Sequence, residues 1–69
     1  MLVKVGKYGD RTVEVALEDG STVRAALTAA DYSDEPIDKV RVNGVPASMD
    51  TVLTGGAIVT IVGKIEGGK

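Results

Sequence analysis

The sequence predicts an α+β fold in which a four-stranded mixed sheet packs against one helix, with the elements in the order β-β-α-β-β. Three observations lead to this prediction. Apolar and polar residues alternate strictly over residues 12–17, as in a strand with one buried face. Residues 23–30 place apolar side chains at the i, i+3, i+4, i+7 spacing of a helix stripe. Residues 57–62 are almost wholly apolar, as in a strand covered on both faces.

The first two strands are predicted to form a hairpin. Residues 2–5 alternate between apolar and polar side chains and begin the first strand. Residues 6–10 contain two glycines, which is typical of a turn. Residues 12–17 form the second strand, and the Glu-Asp-Gly sequence of residues 18–20 ends it.

A short helix is predicted next. The hydroxyl of Ser21 or Thr22 is suited to the N-cap, and the helix runs to about Ala30. Because so short a helix is marginal in water on its own, packing against the sheet must stabilise it. The residues of its apolar stripe are Val23, Ala26, Leu27 and Ala30.

The second half of the chain begins with a polar, acidic loop at residues 31–38, followed by a third strand at residues 39–43. Asn43-Gly44 favours a turn with positive φ. Residues 45–53 are predicted to be irregular, because Pro46 lacks the N–H that a sheet ladder needs. The side chains expected to fill the bottom of the core are Met49, Val52 and Leu53.

The last strand, residues 57–62, is apolar on both faces and is therefore expected in the middle of the sheet. If it pairs in parallel with the first strand, the chain has a β-grasp. The predicted organisation is a β-grasp domain over residues 1–63 and a flexible C-terminal tail over residues 64–69.

The composition excludes several classes of protein. The 69 residues make one domain and include neither cysteine nor histidine, so disulfide frameworks and zinc-finger spacings are excluded. The net charge is −2 with interspersed signs, which argues against a nucleic-acid partner. No apolar run approaches the ~20 residues of a membrane span. We expect a cytoplasmic protein without a membrane partner.

A set of segments occurs in a fixed order along the chain: residues 15–23, 26–27 and 42–44, then Leu53, Gly56, Val59 and Ile61, and finally Gly67-Gly68. In this order they resemble the ubiquitin-like sulfur carriers of thiamine and molybdopterin biosynthesis and the small protein modifiers related to them. The resemblance covers nearly the whole chain and implies a ubiquitin-like β-grasp. The family has a Gly-Asp pair before the last strand, whereas this chain has Gly56-Ala57.

The resemblance implies a reaction at the C-terminus. An adenylating enzyme uses ATP and Mg²⁺ to convert the Gly68 carboxylate to an acyl-adenylate, and sulfur or an amine then displaces AMP. The carrier itself binds no cofactor; its other partners are an acceptor protein or a biosynthetic synthase. Gly67 and Gly68 act through their lack of side chains, and Ile65 anchors the tail. Lys69 makes the Gly68 carboxyl an amide. Three accounts follow: a processing peptidase removes Lys69, Lys69 is not native to the protein, or the tail is never activated.

The outward face of the sheet is a candidate surface for binding protein partners, with an apolar centre and a basic flank. The alternative to a carrier is a non-conjugating β-grasp binding or structural module that uses this face alone. The residues predicted to form the surface are Leu2, Lys4, Arg41, Ile58, Thr60 and Val62.

The chain is not expected to be an enzyme or to hold a metal. Its serines have no histidine that could act as a base. The acidic loop lacks the central glycine and the regular oxygen spacing of a calcium loop, so we interpret it as solvated. Its carboxylates are Asp31, Asp34, Glu35 and Asp38.

Overall fold

A computed structural model of the chain describes residues 1–8, 11–32 and 37–63. It has five strands and one helix, so the α+β class is confirmed and the prediction of four strands is wrong by one. The elements are β1 (Leu2–Lys7), β2 (Thr12–Ala16), α1 (Val23–Ala29), β3 (Ile37–Val42), β4 (Val45–Ala47) and β5 (Ile58–Gly63).

The strands form one sheet in the order β2-β1-β5-β3-β4. β1 and β5 are parallel, with Val5 opposite Val59, and the other neighbouring pairs are antiparallel. The last strand therefore lies in the middle of the sheet and runs parallel to the first, as its apolar sequence predicts. This arrangement, with one helix across one face, is a β-grasp.

The core lies between the sheet and α1 and consists of aliphatic side chains. Within the described residues no polar or charged side chain is buried. With neither Phe nor Trp in the chain, branched aliphatics must fill the space between the two layers. The buried residues are Val3, Val5, Val23, Ala26, Leu27, Val40, Leu53, Ala57, Val59 and Ile61.

The start of the helix depends on two parts of the chain. Thr22 is the N-cap, and its hydroxyl accepts a hydrogen bond from the Ala25 N–H at 3.4 Å. The first two helical N–H groups, of Val23 and Arg24, have no acceptor within the helix. They donate to the carbonyl oxygens of Thr51 at 2.9 Å and Met49 at 3.0 Å. The loop after β4 therefore completes the cap that the sequence predicts locally.

Pro46 lies in a strand, contrary to the prediction that it blocks pairing. The N–H of Asn43 donates to the Ile58 carbonyl in β5 at 2.8 Å. The N–H and C=O groups of every second residue in a strand point toward the same neighbouring strand, so those of Arg41 also point toward β5. Arg41 therefore makes no backbone hydrogen bond with Pro46, its partner on β4. The missing N–H of Pro46 would point away from β3, so an edge strand tolerates it.

The turn between β3 and β4 forms as the Asn43-Gly44 sequence predicts. Asn43 has φ 53° and Gly44 has φ 83°, both in the left-handed region. The Asn43 side chain also accepts a hydrogen bond from the Ile58 N–H at 2.9 Å. The turn is therefore tied to the first residue of β5.

The three side chains predicted to fill the bottom of the core differ in burial. Leu53 is 2% exposed, and Met49 packs against the core while partly buried. Val52 is 61% exposed, so the prediction that it fills the core is wrong. A β-bridge between Thr22 and Val52 fixes the backbone here, and the side chains of consecutive extended residues point to opposite sides.

Substitutions at the two neighbouring positions test this assignment. We expect Leu53→Ala to lower the free energy of unfolding by about 2–4 kcal/mol, because it leaves a cavity in the core. Val52→Ala should change it by no more than about 0.5 kcal/mol, because the side chain is mostly in water. Chemical denaturation of both variants measures the difference, and equal losses would contradict the assignment.

Candidate partner-binding surface

The face of the sheet opposite α1, here called the outer face, carries all six residues of the predicted surface. Side chains alternate between the two faces of a strand, and the core residues occupy the inner face. The predicted residues occupy the intervening positions: Leu2 and Lys4 on β1, Arg41 on β3, and Ile58, Thr60 and Val62 on β5.

The apolar residues of the outer face do not form one continuous cluster. Ile58 lies opposite Lys4 across β1 and β5, which makes Leu2 its diagonal neighbour on β1. Leu2 is 53% exposed and Ile58 is 47% exposed, so this pair offers apolar surface to a partner. Val62 is separated from Ile58 by Thr60 along the same strand. Thr60 thus interrupts the apolar centre that the sequence predicts.

Cations surround these apolar residues. Lys4 lies beside Ile58, Arg41 beside Thr60, and Lys39 beside Val62. Glu14 is opposite Lys4 on β2. The three cations are exposed and make no ion pair with another described residue, so their charge is available to a partner.

Two of these charged residues, Lys39 and Glu14, are absent from the predicted surface. The signal for both was present in the sequence, because Lys39 alternates with Arg41 and Glu14 lies on the polar side of β2. What the sequence did not provide was the strand order, which places these positions beside Val62 and Lys4.

Gly6 belongs to β1 and not to the predicted turn at residues 6–10. Its partner in β5 is Thr60, and the next pair is Lys7 with Ile61, so the parallel ladder extends the strand beyond Val5. Gly6 also lies opposite Thr12, which is on the neighbouring strand β2. A Cβ at position 6 would lie 2.6 Å from the Thr12 Oγ1, closer than non-bonded contact allows. The glycine therefore permits close approach on the outer face.

β5 ends at Gly63, which lies opposite Ile37 at the start of β3. The described chain therefore ends in the middle strand of the sheet. The predicted site residues Ile65, Gly67 and Gly68, and also Lys69, lie outside the described residues. Asp34 and Glu35 of the acidic loop also lie outside the described residues.

Ala57 occupies the position where the family has aspartate, immediately before β5. It is 2% exposed and lies in the core. Its carbonyl accepts a hydrogen bond from the Lys4 N–H at 2.9 Å, and its N–H donates to Thr54 at 3.1 Å. An unpaired carboxylate is costly to bury, so this site suits a methyl group.

The described part of the chain contains neither a cluster of metal ligands nor a helix that could span a membrane. Residues 1–8, 11–32 and 37–63 contain no group of three His, Cys, Asp or Glu side chains that could hold a metal ion. In the same residues, no helix has the length and apolar character needed to cross a membrane.

Comparison with known proteins identifies similar structures. No family model and no curated protein sequence matches the chain. The crystal structure of SAMP1 from Haloferax volcanii superimposes with a TM-score of 0.79 at 20% identity, covering 99% of this chain and 100% of that one. A putative molybdopterin converting factor, subunit 1, from Pyrococcus furiosus gives 0.69 at 21% identity, covering 93% and 98%. These neighbours confirm the β-grasp fold that the resemblance implies.

The contact between Gly6 and Thr12 can be tested by a double-mutant cycle. Gly6→Ala should lower the free energy of unfolding by about 1–3 kcal/mol, because the new methyl group overlaps the Thr12 hydroxyl. In a Thr12→Ala background the same substitution should cost at least about 0.5 kcal/mol less. Chemical denaturation of the four proteins gives the coupling. Additive effects would show that the clash does not involve the hydroxyl.

Proposed function

We propose that this chain, a β-grasp protein similar in structure to SAMP1 and to a molybdopterin converting factor subunit, is a small ubiquitin-like carrier or modifier. In this proposal its Gly67-Gly68 terminus is adenylated by a partner enzyme for sulfur transfer or protein conjugation. The neighbours are proteins of the ubiquitin-like modifier and sulfur-carrier kind, which supports the general class.

The observation that carries the proposal is the origin of the tail. β5 is held on both sides, by β1 and by β3, and its last residue is Gly63. Gly68 follows five residues later in the sequence. At the maximum of about 3.6 Å per residue, a tail of that length reaches about 18 Å from the sheet. A fixed origin and a short reach suit delivery of a terminal carboxylate into an active site on another protein.

The proposed chemistry takes place on the Gly68 carboxylate. A carboxylate oxygen attacks the α-phosphorus of ATP, and pyrophosphate leaves. Hydrosulfide then displaces AMP to give a thiocarboxylate, or a lysine amine displaces AMP and loses a proton to give an isopeptide bond. Glycine residues without a Cβ let the backbone of the partner approach closely. The partner enzyme supplies ATP, Mg²⁺ and the catalytic groups, and this chain is its co-substrate.

The outer face is proposed as the docking surface for that enzyme. Leu2 and Ile58 supply exposed apolar contact, while Lys4 and Arg41 supply charge beside it. Apolar residues with flanking charges combine affinity with faster and more selective encounter. Docking through the sheet leaves the end of β5 free to direct the tail into the active site.

Removal of Lys69 is part of the proposal, because an amide at Gly68 has no carboxylate to attack ATP. Two forms of the chain, ending at Gly68 and at Lys69, should therefore be incubated with adenylating enzymes of the source organism, ATP and Mg²⁺. We expect pyrophosphate exchange and an acyl-adenylate or thiocarboxylate mass only for the form ending at Gly68. Absence of both products from the trimmed form with every such enzyme would contradict the carrier function.

The docking surface has a separate test. We expect Ile58→Glu to lower kcat/KM for adenylation by about tenfold, since loss of a buried interface contact commonly costs 1–2 kcal/mol. Val52→Glu is the matched control. Val52, like Ile58, is an exposed β-branched residue, but it lies away from the outer face. Equal losses in the two variants would argue against docking through Ile58. Denaturation curves of both variants establish that they are folded.

The exposure of Leu2 and Ile58 also supports the second candidate, a non-conjugating module that binds proteins through the outer face alone. The two functions are separated by the trimmed form of the chain. Partner binding that is sensitive to Ile58→Glu, without adenylation of Gly68, would identify the module.

A further inference from the structure

An open groove lies at one edge of the sheet, where β3 extends beyond β4. β4 pairs with β3 only over residues 40–42, whereas β3 begins at Ile37. After Ala47 the chain turns away toward the start of α1. The groove between residues 37–41 and 46–49, here called the β3 groove, has a volume of about 760 Å³.

The floor of the β3 groove is strand backbone that has no described strand beside it on one side. On the other side β3 pairs with β5, with Ile37 opposite Gly63 and Lys39 opposite Val62, and the register shifts between these two pairs at Asp38. No described strand pairs with residues 37–39 on the β4 side. Unpaired strand edges bind extended peptides by main-chain hydrogen bonds.

Pro46 protects the adjoining part of this edge. Pro46 makes no backbone hydrogen bond with Arg41, its partner on β3. Any other residue at position 46 would therefore point its N–H away from the sheet. Proline removes that donor, which is a common way of blocking edge-to-edge association. The open part of this edge is therefore the start of β3, inside the groove.

The walls of the β3 groove combine apolar and charged side chains. Val40, Ala47 and Met49 are buried or partly buried and pack with the core. On the outer-face side, Lys39 and Arg41 are exposed. Among the described lining residues Asp38 is the one carboxylate, so cations outnumber it there by two to one.

We propose that the β3 groove binds an extended segment of a partner protein that alternates aliphatic and acidic residues. Alternate side chains of an added strand point to opposite faces of the sheet. Its aliphatic side chains would contact Ala47 and Met49, and its carboxylates would lie near Lys39 and Arg41. This site is an edge of the sheet that shares Lys39 and Arg41 with the outer face, and it does not depend on activation of the tail.

The charges of the chain argue against two other arrangements. Residues 37–39 are the open part of this edge, and antiparallel pairing with the same residues of a second copy would place Asp38 opposite Asp38, which is unfavourable across adjacent strands. The opposite edge of the sheet, β2, carries Glu14 and would repel an acidic segment. The β3 groove is also at the end of β5 where the tail begins, so one partner could engage both.

The test is titration of the isotopically labelled full chain with acetyl-Glu-Val-Glu-Val-Glu-amide, followed by NMR. We expect saturable shifts of the amides of residues 37–40 and 47–49. A peptide with N-methylated valines keeps the charges but lacks the N–H groups of its valines. It should bind at least about fivefold more weakly, which is the loss typical of one hydrogen bond. The peptide with lysine in place of glutamate should likewise bind more weakly.

Two variants at one position test the charge. Lys39→Glu should weaken binding of the acidic peptide by about fivefold at low salt, and Lys39→Arg should change it by less than about twofold. Lys39 is exposed, so neither variant should alter the spectrum elsewhere.

Several results would overturn the proposal. Shifts confined to β2 or to Leu2 and Ile58 would place the peptide elsewhere. Concentration-dependent shifts at residues 37–39 without peptide would identify a second copy as the occupant. Equal binding of the glutamate and lysine peptides, or no shifts up to the solubility limit, would exclude an acidic segment. Tail activation is measured separately, so failure of either proposal leaves the other testable.

Discussion

The parallel pairing of β1 with β5 is the contact on which the rest of the structure depends. It joins the two ends of the described chain, and Val5 opposite Val59 lies fully buried beneath α1. Forming it requires closure of a long loop, whose entropy cost must be offset by burial of aliphatic surface. Once this pair has formed, one edge remains for each of the next strands: β2 pairs with the free edge of β1, and β3 pairs with the free edge of β5.

The helix belongs to this arrangement and is not an independent unit. It has seven residues, too few to be stable alone in water. Its buried stripe packs on the sheet, and its first N–H groups donate to Thr51 and Met49 from the second half of the chain. The same short loop carries Leu53 into the core and ends β4 early. Helix capping, core closure and the opening of the β3 groove thus have one structural cause.

The two surfaces proposed for binding use the sheet in different ways. The outer face offers side chains, with Leu2 and Ile58 between exposed cations, and can discriminate partners by shape and charge. The β3 groove offers backbone donors and acceptors, with Lys39 and Arg41 at its border. The β3 groove lies beside the last residues of β5, whereas Leu2 and Ile58 lie at the opposite end of that strand. Under the proposed function, contacts in the β3 groove lie near the origin of the tail, and contacts with Leu2 and Ile58 lie farther from it.

The local pattern of the sequence was sufficient for much of the fold. Alternation predicted β2, the apolar stripe and Thr22 predicted α1, and Asn43-Gly44 predicted its turn, because each signal depends on neighbouring residues only. The outward positions of Lys4, Arg41 and Ile58 followed from the same alternation. The strength of β5 as an apolar run also predicted its central place. The role of these residues in binding stays a prediction.

Other features were decided only by tertiary structure. Gly6 continues β1 because β5 supplies a partner, and Pro46 enters a strand because its missing donor falls at a pair that needs none. Leu53 is buried while Val52 is exposed, because a bridge to Thr22 sets which of two adjacent side chains faces the core. By itself the sequence determined which segments are strand or helix and which side chains alternate, since backbone geometry makes these local. Register, strand order and the open edge of β3 depend on which distant segment lies alongside, and only the folded chain decides that.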